Sequence, residues 1–296
     1  MARLLAAADI GSNTAHLLVA MASKKRFRRL VNDSEWLSLG EVVSRHGHIP
    51  AEVAAELLTT LAEFVATTRR LGVEKTYVFA TEAMRRADNH EAILGTIERE
   101  LGLAVDLISP DREAELGLKG VLCDIGREKP LLMAETGGGS LQIIAWDGES
   151  MGVDHSLPLG TGVLLVESGV SQPASPGEVA KLESFIGEAL AGLPRLDNFP
   201  LVASGGVARG IWRALHPDGE RTLQIQELEH LQWSASRLTI PQIAARYGVK
   251  ARRAETLLPA TILYRMLLQH LGQASMQVSV YGVREGAVVE MMERSP

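Results

Sequence analysis

Leu131-Leu132-Met133-Ala134-Glu135-Thr136-Gly137-Gly138-Gly139-Ser140-Leu141-Gln142-Ile143-Ile144 sets one carboxylate, three consecutive glycines and a hydroxyl between two apolar runs. Short apolar runs bounded by a glycine cluster predict the two strands of a hairpin. Glycine lacks a Cβ, so it takes positive φ freely and lets neighbouring N–H groups converge. Converging N–H groups form a nest that binds anions, usually phosphate. An ordinary glycine-rich turn has the same composition, so the rest of the chain must decide between the two.

The N-terminus offers a second copy of the pattern. Residues 4–8 and Ile10 predict a strand that runs into Asp9-Ile10-Gly11-Ser12-Asn13-Thr14, and Leu17-Leu18-Val19-Ala20-Met21 resumes as another. Asp-x-Gly-Ser and Glu-x-Gly-Gly-Gly-Ser are thus two acid–glycine–hydroxyl turns between strands, the mark of an internal duplication. Two similar halves facing each other would bring both loops to one cleft, able to hold a phosphate chain from two sides.

Elsewhere, strands and helices alternate, which predicts an α/β fold. Residues 50–71 carry apolar side chains at helical spacing (Val53, Leu57, Leu58, Leu61, Phe64, Val65). A strand at 76–80 leads into Thr81-Glu82-Ala83-Met84-Arg85, a helix follows over 89–101, and a strand over 105–109. Ser109 then caps a helix with acids in its first turn. After the central hairpin, 154–158 reads as extended, 159–162 as a turn, 176–193 as helix, 200–203 as strand, 223–238 as mostly helix, 240–247 and 252–270 as helices, and 276–280 as strand, with a last helix reaching Met292. The charged, glycine- and proline-bearing stretch 123–130 sets the domain division at 1–124 and 125–296, with the option that the last helix packs back on the first domain.

Length, at 296 residues, suits about two domains, and a 46% hydrophobic content suits a buried core. The single cysteine, Cys123, excludes an intramolecular disulfide and a cysteine-based zinc site, and fits a reducing compartment. The N-terminal apolar stretch meets Asp9 too early for a signal peptide, and no apolar run reaches membrane-spanning length, so a soluble cytoplasmic protein is expected. A net charge of −6 disfavours nonspecific nucleic-acid binding. The basic clusters Lys24-Lys25-Arg26 with Arg28-Arg29, Arg69-Arg70, Arg85-Arg86 and Arg252-Arg253 read as solvated surface. Residues 243–253 look like a helix-turn-helix, but 257–271 is too apolar for an exposed recognition helix, and no DNA is expected. His46-x-His48 lacks a third metal ligand. There is no Gly-x-x-x-x-Gly-Lys-Ser/Thr loop.

Five segments in order resemble the exopolyphosphatase / guanosine pentaphosphate phosphatase family. Asp9 to Thr14 is similar to its first phosphate loop, and Ala80-Thr81-Glu82-Ala83-Met84-Arg85-Arg86-Ala87-Asp88-Asn89 to its Ala-Thr-x-Ala-x-Arg-x-Ala-x-Asn segment. Ile108-Ser109-Pro110-Asp111-Arg112-Glu113-Ala114 resembles Ile-Ser-Gly-x-Glu-Glu-Ala, Ser204-Gly205-Gly206 resembles Ser-Gly-Thr, and Gly282-Val283-Arg284-Glu285-Gly286 resembles Gly-Leu-Arg-Glu-Gly. The resemblance covers nearly the whole chain and implies an α/β fold of two ribonuclease H-like domains (actin-like ATPase superfamily) around a central cleft.

It also implies a function. Glu113 falls on the catalytic glutamate that activates water and Arg85 on the arginine that grips phosphate. Gly11, Ser12, Asn13, Thr14, Gly137, Gly138, Gly139, Ser140, Ser204 and Gly205 fall on phosphate-facing positions. Asp9, Glu135 and Gln142 fall on the metal-associated positions, for Mg2+ or another divalent cation. The implied reaction cleaves terminal phosphoanhydride bonds of inorganic polyphosphate or guanosine pentaphosphate, and a homodimer fits the family.

The sequence departs from the family pattern at several positions. Glu135 stands for Asp, Gln142 for Glu, Ser38 and Val163 for arginines, and Arg112 for the first of a glutamate pair. The alternative is therefore a catalytically weakened or inactive member that binds nucleotide or polyphosphate as a regulator. A kinase of the same superfamily would need a substrate-side aspartate base that these motifs do not supply.

Overall fold

The computed structural model describes residues 2–23, 26–194, 196 and 199–294, and the side chains of 153 and 154 are outside that description. Lys24 and Lys25 of the first basic cluster lie outside the described residues. The chain divides into two compact units. One runs through Cys123 and takes up the chain again at Tyr281; the other is Asp124–Val280. Asp124 thus falls in the second unit and the last helix in the first.

The first unit contains β1 (Arg3–Ile10), β2 (Thr14–Ser23), β3 (Arg26–Trp36), α1 (Leu39–His46), α2 (Ala51–Leu71), β4 (Lys75–Ala80), α3 (Glu82–Arg86), α4 (His90–Leu101), β5 (Val105–Leu107) and α5 (Pro110–Ile125), inside which the division falls. Its sheet has the order β3-β2-β1-β4-β5. The first two pairings are antiparallel, and β1-β4 and β4-β5 are parallel. β1 is apolar at nearly every position because it is covered on both faces. Ala6, Ala8 and Ile10 meet Leu57, Leu61 and Phe64 of α2. Leu5 and Ala7 point the other way, toward Leu116 of α5 and Ala287, Val288 and Met291 of the last helix. The basic edge strand β3 is absent from the sequence-based reading. Its exposed Arg26 and Arg28 alternate with half-buried Phe27 and Arg29, a period-two pattern hidden in a run of charges. Basic side chains on a sheet edge also discourage pairing with another chain.

The second unit continues with β6 (Leu131–Thr136), β7 (Leu141–Trp146), β8 (Met151–Leu157), α6 (Thr161–Ser168), α7 (Pro176–Leu190), β9 (Leu201–Ser204), α8 (Gly205–Leu215), β10 (Thr222–Gln224), α9 (Ile225–Ala235), α10 (Ile240–Tyr247), α11 (Ala251–His270) and β11 (Ser275–Val278); α12 (Val283–Glu293) returns to the first unit. Its sheet order is β10-β11-β9-β6-β7-β8. Read from β8, the succession β8-β7-β6-β9-β11 repeats β3-β2-β1-β4-β5 in order and in strand sense. Leu257, Leu258, Ile262, Leu263 and Leu267 of α11 lie in the core, so the helix-turn-helix pattern of 243–253 serves packing. Pro259 inside α11 cannot donate to the Glu255 carbonyl four residues back. Gln172 Nε2 donates to that oxygen instead, at 3.3 Å.

Helices α5 and α12 approach at backbone distance. A Cβ built on Gly286 would lie 1.8 Å from the Leu116 carbonyl oxygen, and one on Gly120 would lie 2.1 Å from that of Gly282. Gly286→Ala is therefore expected to destabilise the protein by at least about 3 kcal/mol, the upper end of the range for overpacking. Gly95, in α4, has open space around its Cβ position. Gly95→Ala is expected to be neutral or stabilising by up to about 1 kcal/mol. Urea denaturation of both variants checks the contrast; equal midpoints would contradict it.

Candidate active site

In the first unit the strands β1, β4 and β5 run parallel, so their carboxyl ends lie together, where open α/β sheets bind ligands. The turn after β1 is closed by Gly11 N donating to the Thr14 carbonyl at 3.0 Å. Every carbonyl at its tip is taken. Gly40 N donates to the Ser12 oxygen at 2.7 Å, and Leu37 N and Ser38 N donate to the Asn13 oxygen at 2.9 and 3.0 Å. Gly40 can come this close only without a side chain, since its Cβ would sit 2.9 Å from Ser12 Cβ. Ser38 adopts left-handed backbone, φ 53°, to complete the contact. Among the described residues, the amides of Ser12 and Asn13 donate to no protein acceptor. Thr14 is already engaged, its hydroxyl lying 2.7 Å from His16 Nε2.

Arg85 and Glu113, far apart in sequence, meet beside this turn. Thr81 N donates to the Ile10 carbonyl at 3.2 Å and Ile108 N to the Ala80 carbonyl at 3.1 Å, which brings the ends of β1, β4 and β5 into register. Arg85 extends from α3 and donates to the Ile108 carbonyl at 2.6 Å. Both of its terminal nitrogens lie 3.4 Å from Glu113 Oε2. The two side chains are 23% and 26% exposed, so water and a ligand can reach both. An ion pair this long and this open contributes little stability. Its chemical meaning is a cationic fork and a carboxylate, each held in place, next to unspent amides.

The second unit builds the same device differently. Gly137 N closes the hairpin on the Ser140 carbonyl at 2.9 Å. Thr161 N then donates to the Gly137 oxygen at 3.0 Å and Gly162 N to the Gly138 oxygen at 2.9 Å, from the first turn of α6. Gly160 lies against the loop so closely that a Cβ would fall 2.3 Å from the Gly139 carbonyl carbon. Again two carbonyls, those of Gly137 and Gly138, are captured from outside the turn, while the amides of Gly138, Gly139 and Ser140 donate to no protein group among the described residues. Gly11 and Gly137 do not use left-handed backbone. Close approach, not positive φ, is what these turns ask of their glycines.

Glu135 and Gln142 are ladder partners across β6 and β7. The buried Ser204 hydroxyl donates to Glu135 Oε2 at 2.7 Å, so its single proton is spent on Glu135. Gly205, with φ +82°, lies where a Cβ would be 3.0 Å from Glu135 Oε1. Beneath the hairpin, Thr136 Oγ1 donates to the hydroxyl of the fully buried Tyr264 at 3.1 Å. Burial pushes the Tyr264 hydroxyl above its ordinary range; the Glu135 charge adds to this, and the Thr136 bond and Arg209 oppose it.

Arg253, absent from the sequence-based candidates, lies along the start of α8. It donates to the Gly206 carbonyl at 2.8 Å, and a Cβ on Gly210 would be 2.9 Å from its Cδ. No carboxylate pairs with it among the described residues. Burial, and then the nearby Arg213 charge, lower its affinity for its proton. A desolvated cation without a counter-charge favours an anion beside it. A signal existed in the sequence: Arg253 shares the helical stripe of Leu257, Ala260 and Tyr264, whereas Arg252 falls off it.

The expected metal positions divide between the units, with Asp9 in the first and Glu135 and Gln142 in the second. Among the described residues no three His, Cys, Asp or Glu side chains converge as a cation site. Within the hairpin pair one donor is a neutral amide and the other is engaged by Ser204. By itself the hairpin pair, one carboxylate and one carboxamide, falls short of the ligand set a divalent cation takes.

The family model described as the Ppx/GppA phosphatase family matches residues 18–295. The chain belongs to this family. Among its relatives, exopolyphosphatase 1 of Mycobacterium tuberculosis is 27% identical over 303 residues, covering 96% of this chain and 87% of that protein. A crystal structure of the Aquifex aeolicus member of the Ppx/GppA family overlays with a TM-score of 0.89 at 24% identity, over 100% of each chain. An exopolyphosphatase from Cytophaga hutchinsonii overlays with a TM-score of 0.88 at 22% identity, over 99% of each. At these identities the likeness shows the fold, the two-domain actin-like ATPase architecture implied by the sequence motifs. As a Ppx/GppA family member the protein is a hydrolase. No helix among the described residues is long and apolar enough to cross a membrane.

The Thr136–Tyr264 bond anchors the hairpin to the core. Tyr264→Phe leaves the Thr136 hydroxyl buried without an acceptor, at an expected cost of about 1–3 kcal/mol. Adding Thr136→Val should recover part of it, giving a coupling energy above about 0.5 kcal/mol in a double-mutant cycle read by denaturation. Strict additivity would contradict the anchoring role.

Proposed function

We propose that the protein hydrolyses the terminal phosphoanhydride bond of inorganic polyphosphate, or of a nucleotide bearing such a chain, such as guanosine pentaphosphate. The observation that carries this reading is the shared design of the two turns, in each of which neighbouring chain captures two carbonyls and the amides at the tip are left unspent. Such nests bind phosphate. The relatives named exopolyphosphatases support polyphosphate as the first substrate to test.

In this reading Glu113 orients a water molecule and takes its proton as the oxygen attacks the terminal phosphorus. The phosphorus–oxygen bond to the next phosphate breaks, and the shortened chain leaves with the electron pair. Negative charge spread over the transferring group is met by the Arg85 guanidinium and by the Ser12 and Asn13 amides of the same unit. Positioning and electrostatic stabilisation dominate phosphoryl transfer of this kind. Arg85 also holds the Glu113 carboxylate in place, with both terminal nitrogens 3.4 Å from Oε2. The second unit carries its own anion-binding groups, the Gly138, Gly139 and Ser140 amides and Arg253. Ser204 serves indirectly, by holding Glu135.

Glu113→Gln keeps the size of the side chain and removes the base. It is expected to lower kcat for phosphate release from polyphosphate by about 10²–10⁴-fold, with an unchanged thermal melting curve. Arg85→Lys is expected to lower kcat/KM as well, because an ammonium cannot reproduce the planar fork. Parallel assays with guanosine pentaphosphate separate the two substrates. Wild-type turnover in Glu113→Gln would remove this mechanism. Polyphosphate binding by calorimetry without any phosphate release would instead make the protein a regulator.

A further inference from the structure

The Glu135–Gln142 pair has a consequence for the cation. Directly opposed residues on one face of an antiparallel ladder have Cβ atoms about 4.5–5.5 Å apart, close enough for two carboxylates to share a divalent ion. Here the pair offers one carboxylate and one carboxamide. The Gln142 side chain makes no hydrogen bond to the protein among the described residues, so nothing else explains its presence opposite Glu135. The Glu135 carboxylate is held by the Ser204 hydroxyl at 2.7 Å and pressed by the Gly205 backbone. Its orientation is fixed by the protein itself.

We infer that this chain keeps no resident divalent cation at the hairpin, and that the cation arrives as part of the substrate, already bound to the phosphate chain. Magnesium keeps much of its water and is commonly held by one or two carboxylates together with substrate phosphates. One constrained carboxylate meets that requirement only once the phosphates supply the rest. Gln142 is the residue that removes the empty-enzyme site. The inference rests on the hydrolytic reading only for the chemistry of the anion.

The experiment is a titration of the full-length protein with Mn2+, counting free ion by electron paramagnetic resonance. Without phosphate, the wild type should show no saturable site. With imidodiphosphate, a non-hydrolysable stand-in for the chain, Mn2+ should bind one site on the same protein. Gln142→Glu should bind Mn2+ without any phosphate, at least about tenfold more tightly than wild type, the scale of single-residue effects on metal sites. If Gln142→Glu does not fold by circular dichroism, Glu135→Gln serves, and it should weaken the imidodiphosphate-dependent binding. A saturable wild-type site in the absence of phosphate that Gln142→Ala abolishes would overturn the inference. So would failure of imidodiphosphate to bring Mn2+ onto the wild type. No turnover is measured, so these outcomes are independent of whether the protein hydrolyses polyphosphate.

Discussion

Backbone carbonyls held inward are the constraint on which both functional turns depend. A four-residue turn has as many carbonyls as amides, and an anion is repelled by the first and attracted by the second. In each unit the neighbouring chain solves this by donating its own amides to the turn's carbonyls: Gly40, Leu37 and Ser38 in the first, Thr161 and Gly162 in the second. The donors must come so close that Gly40 and Gly160 have no room for a side chain. What remains is a cluster of unspent N–H groups with a fixed geometry, so little reorganisation is needed when charge arrives.

The repeated sheet explains why two such turns exist in one chain. Both turns join the central strand of a sheet to its antiparallel neighbour, and both lie beside the end of a parallel strand followed by a helix. The two copies have since diverged in chemistry. The first carries the Arg85–Glu113 pair, a charge couple suited to handling water and phosphate. The second holds a half-buried arginine, Arg253, and a carboxylate restrained by Ser204. The last helix belongs to the first copy, where it covers the face of β1 that α2 leaves open and packs on α5 through glycine.

Much of this was legible in the residues. The two acid–glycine–hydroxyl turns between apolar runs fixed the strand pairs, and helical spacing located α2, α4, α7 and α11. Arg85 and Glu113 were named by the family motifs, although only the parallel pairing of β1, β4 and β5 explains how residues so separated come to touch. Local pattern failed where tertiary context decided. β3 is a strand because an edge position tolerates charge, and its run of arginines concealed the alternation. The turn at 159–162 opens α6, whose first amides are the groups that capture the hairpin. The family motif names the Ser204 position but not its hydrogen-bond partner. Its partner, Glu135, is reached only through the pairing of β6 with β9. Arg252-Arg253 reads in sequence as a solvated pair, because adjacency says nothing of which helical face each residue lies on.

The unspent amides are open to direct measurement. Hydrogen exchange of the backbone, followed residue by residue with and without tripolyphosphate in the Glu113→Gln protein, reports whether those N–H groups acquire an acceptor. Slowed exchange at Ser12 and Asn13 and at Gly138, Gly139 and Ser140 is expected, with the strand interiors unchanged. Unaltered exchange in both turns, at a ligand concentration that saturates the protein by calorimetry, would contradict the role given to them.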